Sequence, residues 1–503
     1  MIPRRSFLRN AASASLLAAG CDIGFLSRLP SVSAEEAALE PRMVRFHADI
    51  EPLVRLLEDT PRERVLEEVG ARIHKGLSYR EVLAALLLAG VRDIQPRPVG
   101  FKFHAVLVVN SAHLASLASP DSDRWLPIFW AINQFKASQA EEAKNSGWKM
   151  APVDESAVPA SHLAKQAFVD AMDRWDESAA DAAVTGLART AGEDELFEIF
   201  ARFGARDFRD IGHKMIYVAN SFRCLQVIGW QHAEPVLRSL AYALLERSGA
   251  KDNPADSDYP ADRPFRENRE TAKKIRDGWL DGKANAEAAA EMLQALRAGS
   301  AADTSELTAK LLNGGVSPQS IAEALFNGAG ELMIQEPGII AVHAMTFTNA
   351  AQYAWRRVQS DETRRMLLLQ NAAFLPLYRG NHQDTGVHID TLEPLAPSST
   401  GDEAVAEIFA EISKDRLTAS RKILGYLKDH PNPASLATAA RRLIFLKGTN
   451  AHDYKFSAAV LEDYERLSPP WRDRLLAASA FYFRGAGEAD NELVKRTRAA
   501  LAA

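Results

Sequence analysis

The chain has 503 residues, of which 47% are hydrophobic and 25% charged, and its formal net charge is −6. This is globular composition, and the slight acidic excess excludes the clustered basic footprint of a nucleic-acid binder. Two cysteines, Cys21 and Cys224, exclude a disulfide framework, a zinc ribbon and a cysteine-ligated iron–sulfur cluster. No run of 18 apolar residues offers a transmembrane helix.

The first 34 residues read as a targeting segment. Arg4 and Arg5 followed by Phe7 and Leu8 match a twin-arginine signal, which hands a folded protein to the twin-arginine export machinery. Ala11 to Gly20 suits a signal core and is too short to span a membrane. Val32-Ser33-Ala34 offers small residues for cleavage before Glu35. Cys21 after Ala19-Gly20 offers the rival reading of a lipoprotein anchor. Export to the periplasm is the expectation in either case.

From residue 35 onward the hydrophobic pattern has the helical period. Val44 to Leu57, Ser78 to Leu88, Ala160 to Trp175, Ala286 to Leu296 and Glu403 to Ile412 place apolar residues three and four apart. Alanine and leucine dominate, and both favour helix. Ser78 with Glu81 three residues on forms a capping box. Ser317-Pro318 and Asn432-Pro433 read as helix starts. Loops are predicted near 93–100, 144–158, 250–264, 380–400 and 485–490, where Pro, Gly, Asn and Asp gather. Cys224 falls on an apolar helix face and is expected to be a buried free thiol.

One pattern occurs four times. A histidine opens an apolar helix at Phe103-His104-Ala105, Gly212-His213-Lys214, Val342-His343-Ala344 and Ala451-His452-Asp453. A second helix follows about 20 residues later, and another precedes each histidine. The histidines are 109, 130 and 109 residues apart. Units of this kind bury their faces by stacking. The predicted fold is therefore all-α, with repeated multi-helix units forming an α-α array or a toroid around a central cavity. It occupies 35–503 as one domain, and the loop at 250–264 is the best boundary between halves of about 35–250 and 264–503.

Stacking with approximate symmetry brings the four histidines together. Imidazole transfers protons near neutral pH and ligates transition metals, so His104, His213, His343 and His452 are candidates for a base or for the ligands of an iron, copper or manganese ion. Each alone is also an ordinary capping residue. Asn110, Asn220 and Asn349 lie six or seven residues after three of the histidines, on roughly the same side of the helix. They suit either a substrate carbonyl or a neighbouring helix. The fourth unit has Lys455 instead, one turn after His452. In an apolar cavity it would stabilise a phenolate or enolate; on the surface it would reach for water. Trp125, Trp130, Tyr217 and Phe347 are candidates for an aromatic cavity lining or for plain core. His382, Asp384 and His388 form a weaker metal-like group in a polar loop.

Patches of the chain between 78 and 485 resemble the questin oxidase-like family. Ile340-Ala341-Val342-His343-Ala344-Met345-Thr346-Phe347-Thr348-Asn349 looks like its His-Ala-Val-Thr helix, and His452-Asp453-Tyr454-Lys455-Phe456 looks like its late His-x-x-Lys motif. His213 to Leu244 is similar to its middle helix pair, and His104 to its early histidine. The export signal and the Phe103-His104-Ala105 run depart from that pattern. The resemblance implies an oxidoreductase that uses O2 for a Baeyer–Villiger-like oxidation of an aromatic, quinol or polyketide-type substrate, with NADPH as reductant. It makes His343 the leading base, Lys455 the anion stabiliser, and His213 and His452 donors or ligands. No G-x-G-x-x-G turn after a strand suggests a flavin, and no C-x-x-C-H suggests a c-type haem. The competing expectation is a non-catalytic periplasmic protein that binds a metal ion or hydrophobic ligand.

Overall fold

The computed structural model describes residues 44–502 except 45, 248–251, 383 and 470. The predicted signal, with Arg4, Arg5 and Cys21, lies outside the described residues. Val44–Ala503 forms one compact unit. Its secondary structure is helical, and among the described residues the β-type pairing is one isolated bridge, Lys283 to Val316. No described helix is long and apolar enough to cross a membrane.

The first helix, α1 (Glu51–Asp59), starts later than the hydrophobic pattern of Val44 to Leu57 predicts. Pro52 sits in its first turn, where the missing N–H costs nothing but further extension backwards is blocked. Val44 instead donates its N–H to Met150 O. After α2 (Val65–His74), α3 (Tyr79–Asp93) begins at Ser78 with both hydrogen bonds of the capping box. A short α4 (His104–Leu107) leads into α5 (Val109–Leu117), and α6 (Leu126–Asn145) follows. The second quarter contains α7 (Ser161–Arg174), α8 (Glu177–Ala188), α9 (Glu193–Gly204), α10 (His213–Ile228) and α11 (Ala233–Leu244).

Beyond the loop around 250–260 come α12 (Arg263–Lys273), α13 (Ala286–Ala298) and α14 (Ala301–Asn313). They are followed by α15 (Pro318–Gln335), α16 (Ile339–Arg357) and α17 (Asp361–Arg379). Ser317 caps α15 ahead of Pro318, as its sequence indicates. The chain ends with α18 (Gly401–Ile412), α19 (Arg416–Asp429), α20 (Ala434–Lys447), α21 (Ala451–Tyr464), α22 (Trp471–Ala478) and α23 (Leu493–Ala502).

Four helices form a closed inner ring. α5 packs on α10, α10 on α16, α16 on α21, and α21 back on α5. Each inner helix is backed by the helices before and after it in sequence: α3 and α6 behind α5, α9 and α11 behind α10, α15 and α17 behind α16, α20 and α22 behind α21. The fourfold sequence pattern is thus a three-helix unit whose middle member faces the axis. An inner helix is enclosed along most of its length, so it lacks the broad solvent-facing polar side of a surface helix. In α16, every residue from Ala341 to Gln352 is buried.

A small cavity of about 20 Å³ lies between the inner helices, lined by residues of all four. That is room for a water and not for an aromatic substrate. Trp130 stacks on Tyr454, Tyr217 donates to Ser239 Oγ, and Phe347 packs on Phe374. With Trp125, which packs beside Tyr79, they belong to the core and its margin. Cys224 is a buried free thiol, pushed up to about 12 by burial.

Candidate metal centre

All four repeat histidines meet at the same end of the ring. One nitrogen from each of His104, His213, His343 and His452 lies within 4.8 Å of the others. Among the described residues this is the one cluster of three or more histidine, cysteine or acidic side chains with such spacing. His104 and His213 are the first residues of α4 and α10, and His452 is the second of α21. His343 departs from the expectation: it lies one turn inside α16, and the helix starts at Ile339.

Backbone carbonyls set the tautomers of three rings. Nδ1 of His104 lies 2.8 Å from Phe101 O, Nδ1 of His213 is 2.7 Å from Asp210 O, and Nδ1 of His343 is 2.6 Å from Ile339 O. A carbonyl only accepts, so each Nδ1 carries the proton and each Nε2 presents a lone pair. Those lone pairs point at one another. His213 Nε2 is 3.0 Å from His104 Nε2 and 2.7 Å from His343 Nε2. Three acceptors in such proximity repel unless a cation sits among them. Protons are poor candidates, because burial holds all three imidazoles well below the usual histidine range, and Lys455 adds to that effect. His452 is pushed down to about 3 by burial and by Lys455, and its buried Nε2 has no hydrogen-bond partner.

The donor set fits a transition metal. Neutral imidazoles, each with Nδ1–H anchored on a carbonyl, are the usual arrangement of metal-bound histidine. With metal–nitrogen bonds of about 2.0–2.1 Å, nitrogens 2.7 to 3.0 Å apart subtend roughly 80–95° at the metal. The whole set of four nitrogens spreads over as much as 4.8 Å, so these two contacts do not select one coordination geometry.

Two of the three segments that carry the acceptor carbonyls, at Phe101 and at Asp210–Ile211, are strained. Phe101, Asp210 and Ile211 all have φ near +50°, at 48°, 52° and 46°. Non-glycine residues occupy that region at a cost of about 1–3 kcal/mol when the surroundings impose it. The surroundings do so here: Asp210 Oδ2 accepts from Val99 N at 3.2 Å, and Tyr378 donates to Ile211 O at 2.8 Å. The start of α10 is held further by the buried Lys214–Asp207 ion pair at 2.8 Å. Gly212 follows with φ +81°, and a Cβ there would strike the Tyr378 hydroxyl and lie 2.8 Å from the Phe347 ring. Gly212→Ala is therefore expected to destabilise the fold by about 2–4 kcal/mol and to displace His213. A thermal melt and the metal content of the variant check both effects. Gly100 plays a milder part: a methyl group there would lie 3.2 Å from the His213 ring.

Lys455 lies on the axis just inside the cluster. It is buried, its Nζ has no hydrogen-bond partner, and burial pushes it down to about 7. It is not the surface lysine that was one of its two sequence readings. Asn110, Asn220 and Asn349 line the same small cavity. Asn110 donates to Asn220 Oδ1 at 3.3 Å, and Asn220 donates to Leu107 O at 3.0 Å. Asn349 donates to Asp463 Oδ1 at 2.7 Å and to Glu462 at 2.9 Å, and accepts from Arg223 at 3.2 Å. These amides are engaged in tying the inner helices to one another.

The loop group does not converge. His388 Nε2 is 3.5 Å from Asp384 and its Nδ1 3.6 Å from Glu331, while His382 pairs with Glu336. Sequence reasoning missed the acceptor carbonyls of Phe101, Asp210 and Ile339, which have no residue-type signature, and the buried Asp463, which burial pushes up to about 8. The Gly212-His213 pair was the visible hint of a forced turn. No protein-family model, curated protein or solved structure matches the chain.

Proposed function

We propose that this protein is an exported oxidoreductase in which His104, His213, His343 and His452 hold one redox-active transition metal, and which oxidises an aromatic or quinol-like substrate with O2. The observation that carries the reading is the convergence of four imidazoles, three of which have their Nδ1 protons committed to backbone carbonyls. Of the roles open to the histidines, ligand fits better than base. A base needs a basicity near the working pH, whereas burial lowers these rings from the usual histidine range. Iron, copper and manganese accept imidazole ligation and supply one-electron and O2 chemistry. The likeness of the His343 helix and the His452-to-Lys455 run to questin oxidase-like motifs supports an oxygen-using reaction. The twin-arginine segment supports export of the folded, loaded protein.

The chain's own contributions are positional and electrostatic. Three of the four rings are fixed by backbone carbonyls, and His452 packs against His104 and His343. Lys455 places an ammonium group within reach of charge that develops at the centre, in surroundings that exclude water. A hydroquinone brings both electrons and both protons needed to convert O2 to H2O2. Insertion of a single oxygen atom with release of water would require two further electrons, the part that NADPH plays in the questin oxidase-like resemblance.

The test is elemental analysis of the mature chain, expressed from Glu35 and purified without chelator or metal-affinity resin, followed by O2 uptake with a hydroquinone. About one equivalent of iron, copper or manganese per chain, with O2 uptake that a chelator abolishes, is expected. A metal-bearing protein that consumes no O2 with any quinol would move the assignment to a metal-binding protein. A metal-free, inert protein would sink the reading.

A further inference from the structure

The small cavity between the inner helices has no room for an aromatic substrate, which leaves the space outside it, near the histidine end. A cavity of about 350 Å³ opens at that end, lined by Pro337, Arg416, Asp453, Tyr482 and Arg484. Two of these residues belong to the histidine-bearing helices or their approach. Asp453 is next to His452 on α21, and Pro337 lies two residues before Ile339, whose carbonyl orients His343. Tyr482 is packed on Phe456 of α21, with ring centroids 5.0 Å apart.

The charges around this cavity are unevenly matched. Asp453 is satisfied twice over: its carboxylate accepts from the backbone N–H groups of Thr449 and Asn450 and pairs with Arg484 at 2.8 Å. Arg484 also pairs with Glu488 at 3.0 Å. Arg416, the first residue of α19, is half-buried. Among the described residues it makes no ion pair and no hydrogen bond, and burial lowers its basicity. Glu488 acts on it electrostatically without a direct ion pair, so its guanidinium keeps donors free to offer a carboxylate or sulfonate paired, charge-assisted hydrogen bonds. The same end of the ring exposes large apolar side chains. Phe101 is 77% exposed, and Ile339 and Ile340 are exposed beside Pro337. Phe101 and Ile339 are two of the three residues whose carbonyls orient the histidines.

We infer that the Arg416–Tyr482 cavity is an anion-recognition subsite, and that it selects aromatic substrates bearing a carboxylate or sulfonate, with the ring system lying over the exposed apolar side chains toward the histidine centre. This rests on the reading of the four histidines as the reactive centre. The cavity is large enough for a fused two-ring compound. Arg416 holds the anionic group, Tyr482 offers its hydroxyl as a second donor, and the Asp453–Arg484 pair forms the wall.

The experiment is calorimetric titration of the full mature chain with 2-naphthoate and, separately, with neutral 2-naphthol, for wild type, Arg416→Gln and Tyr482→Phe. Wild type is expected to bind 2-naphthoate more tightly than 2-naphthol. Arg416→Gln is expected to weaken 2-naphthoate by about tenfold or more, with 2-naphthol changed less than about twofold and the melting temperature retained. Tyr482→Phe is expected to produce a smaller loss with the same selectivity for the anion. Equal 2-naphthoate affinity in wild type and Arg416→Gln, or no binding of 2-naphthoate by wild type, overturns the inference. Metal content, measured on the same samples, separates the two readings. Arg416-dependent binding to a protein that takes up no metal leaves the subsite standing and removes the metal centre; a metal-loaded protein with indifferent Arg416 does the reverse.

Discussion

His213→Ala is expected to reduce metal binding by more than about 100-fold, with loss of O2-dependent turnover. Loss of a partner that merely orients a ligand already costs about 10–100-fold, and His213 would be a ligand itself. It is the hub of the cluster, because its Nε2 is the one in close contact with both His104 and His343. Its removal leaves His104 and His343 on opposite sides of a gap, with ring centroids 6.2 Å apart. The stability readout runs in two directions. A metal held at 100 times its dissociation constant stabilises the fold by about 2.7 kcal/mol, and the variant forfeits that. With chelator present, the substitution instead relieves the facing lone pairs, so the gap between the two proteins in urea should narrow. Equal metal content in wild type and variant, after identical loading, would eliminate the cluster as the metal's site.

Lys455→Met is expected to flatten the stability–pH curve of the metal-free protein between about pH 7 and pH 10.5. Burial holds this amine at about 7 in the fold, against about 10.4 when unfolded. Between those values the unfolded chain binds the extra proton, so wild-type stability rises as pH rises through the window. Below pH 7 the full penalty is present, on the order of 5 kcal/mol. The methionine variant avoids that penalty and should be the more stable protein at neutral pH and below. Other groups titrate as well. The histidines, all lowered by burial, lose stability as pH falls below about 6.5. Asp463, raised to about 8, opposes the lysine because its contribution is lost as pH rises through 8. The difference between wild type and variant, from urea unfolding at a series of pH values with chelator, isolates Lys455. Parallel curves would mean that Lys455 is solvated or paired in the protein.

The repeat was legible because each unit repeats one chemical event, a histidine at the head of an apolar stretch. The flanking helices were legible because they are amphipathic; Ser78, Ser317 and the capped starts marked their ends. The start of α16 was not, because an inner helix is buried on every side and offers no solvent-exposed face from which to count turns, so the histidine that reads as its first residue lies one turn inside it. The meeting of four histidines followed from symmetry, yet the tautomers that turn them into ligands depend on the carbonyls of Phe101, Asp210 and Ile339, and a carbonyl looks the same in every residue. Arg416, Tyr482 and Pro337 come from three distant stretches, and nothing in their local sequence suggests that they share a cavity. The volume left inside the ring depends on side-chain packing, which the pattern does not specify.

The closed ring also sets an order of assembly. His104 and His452 stand 348 positions apart in the chain, yet their rings lie 4.4 Å from each other. That contact forms only when the last unit docks on the first, and long-range closures of this kind are late and slow events in folding. A chain still emerging from the ribosome can complete three quarters of the wall and still lack its final imidazole. Convergence of the four imidazoles thus reports that the last unit has docked on the first, a state that a chain lacking the last unit does not reach.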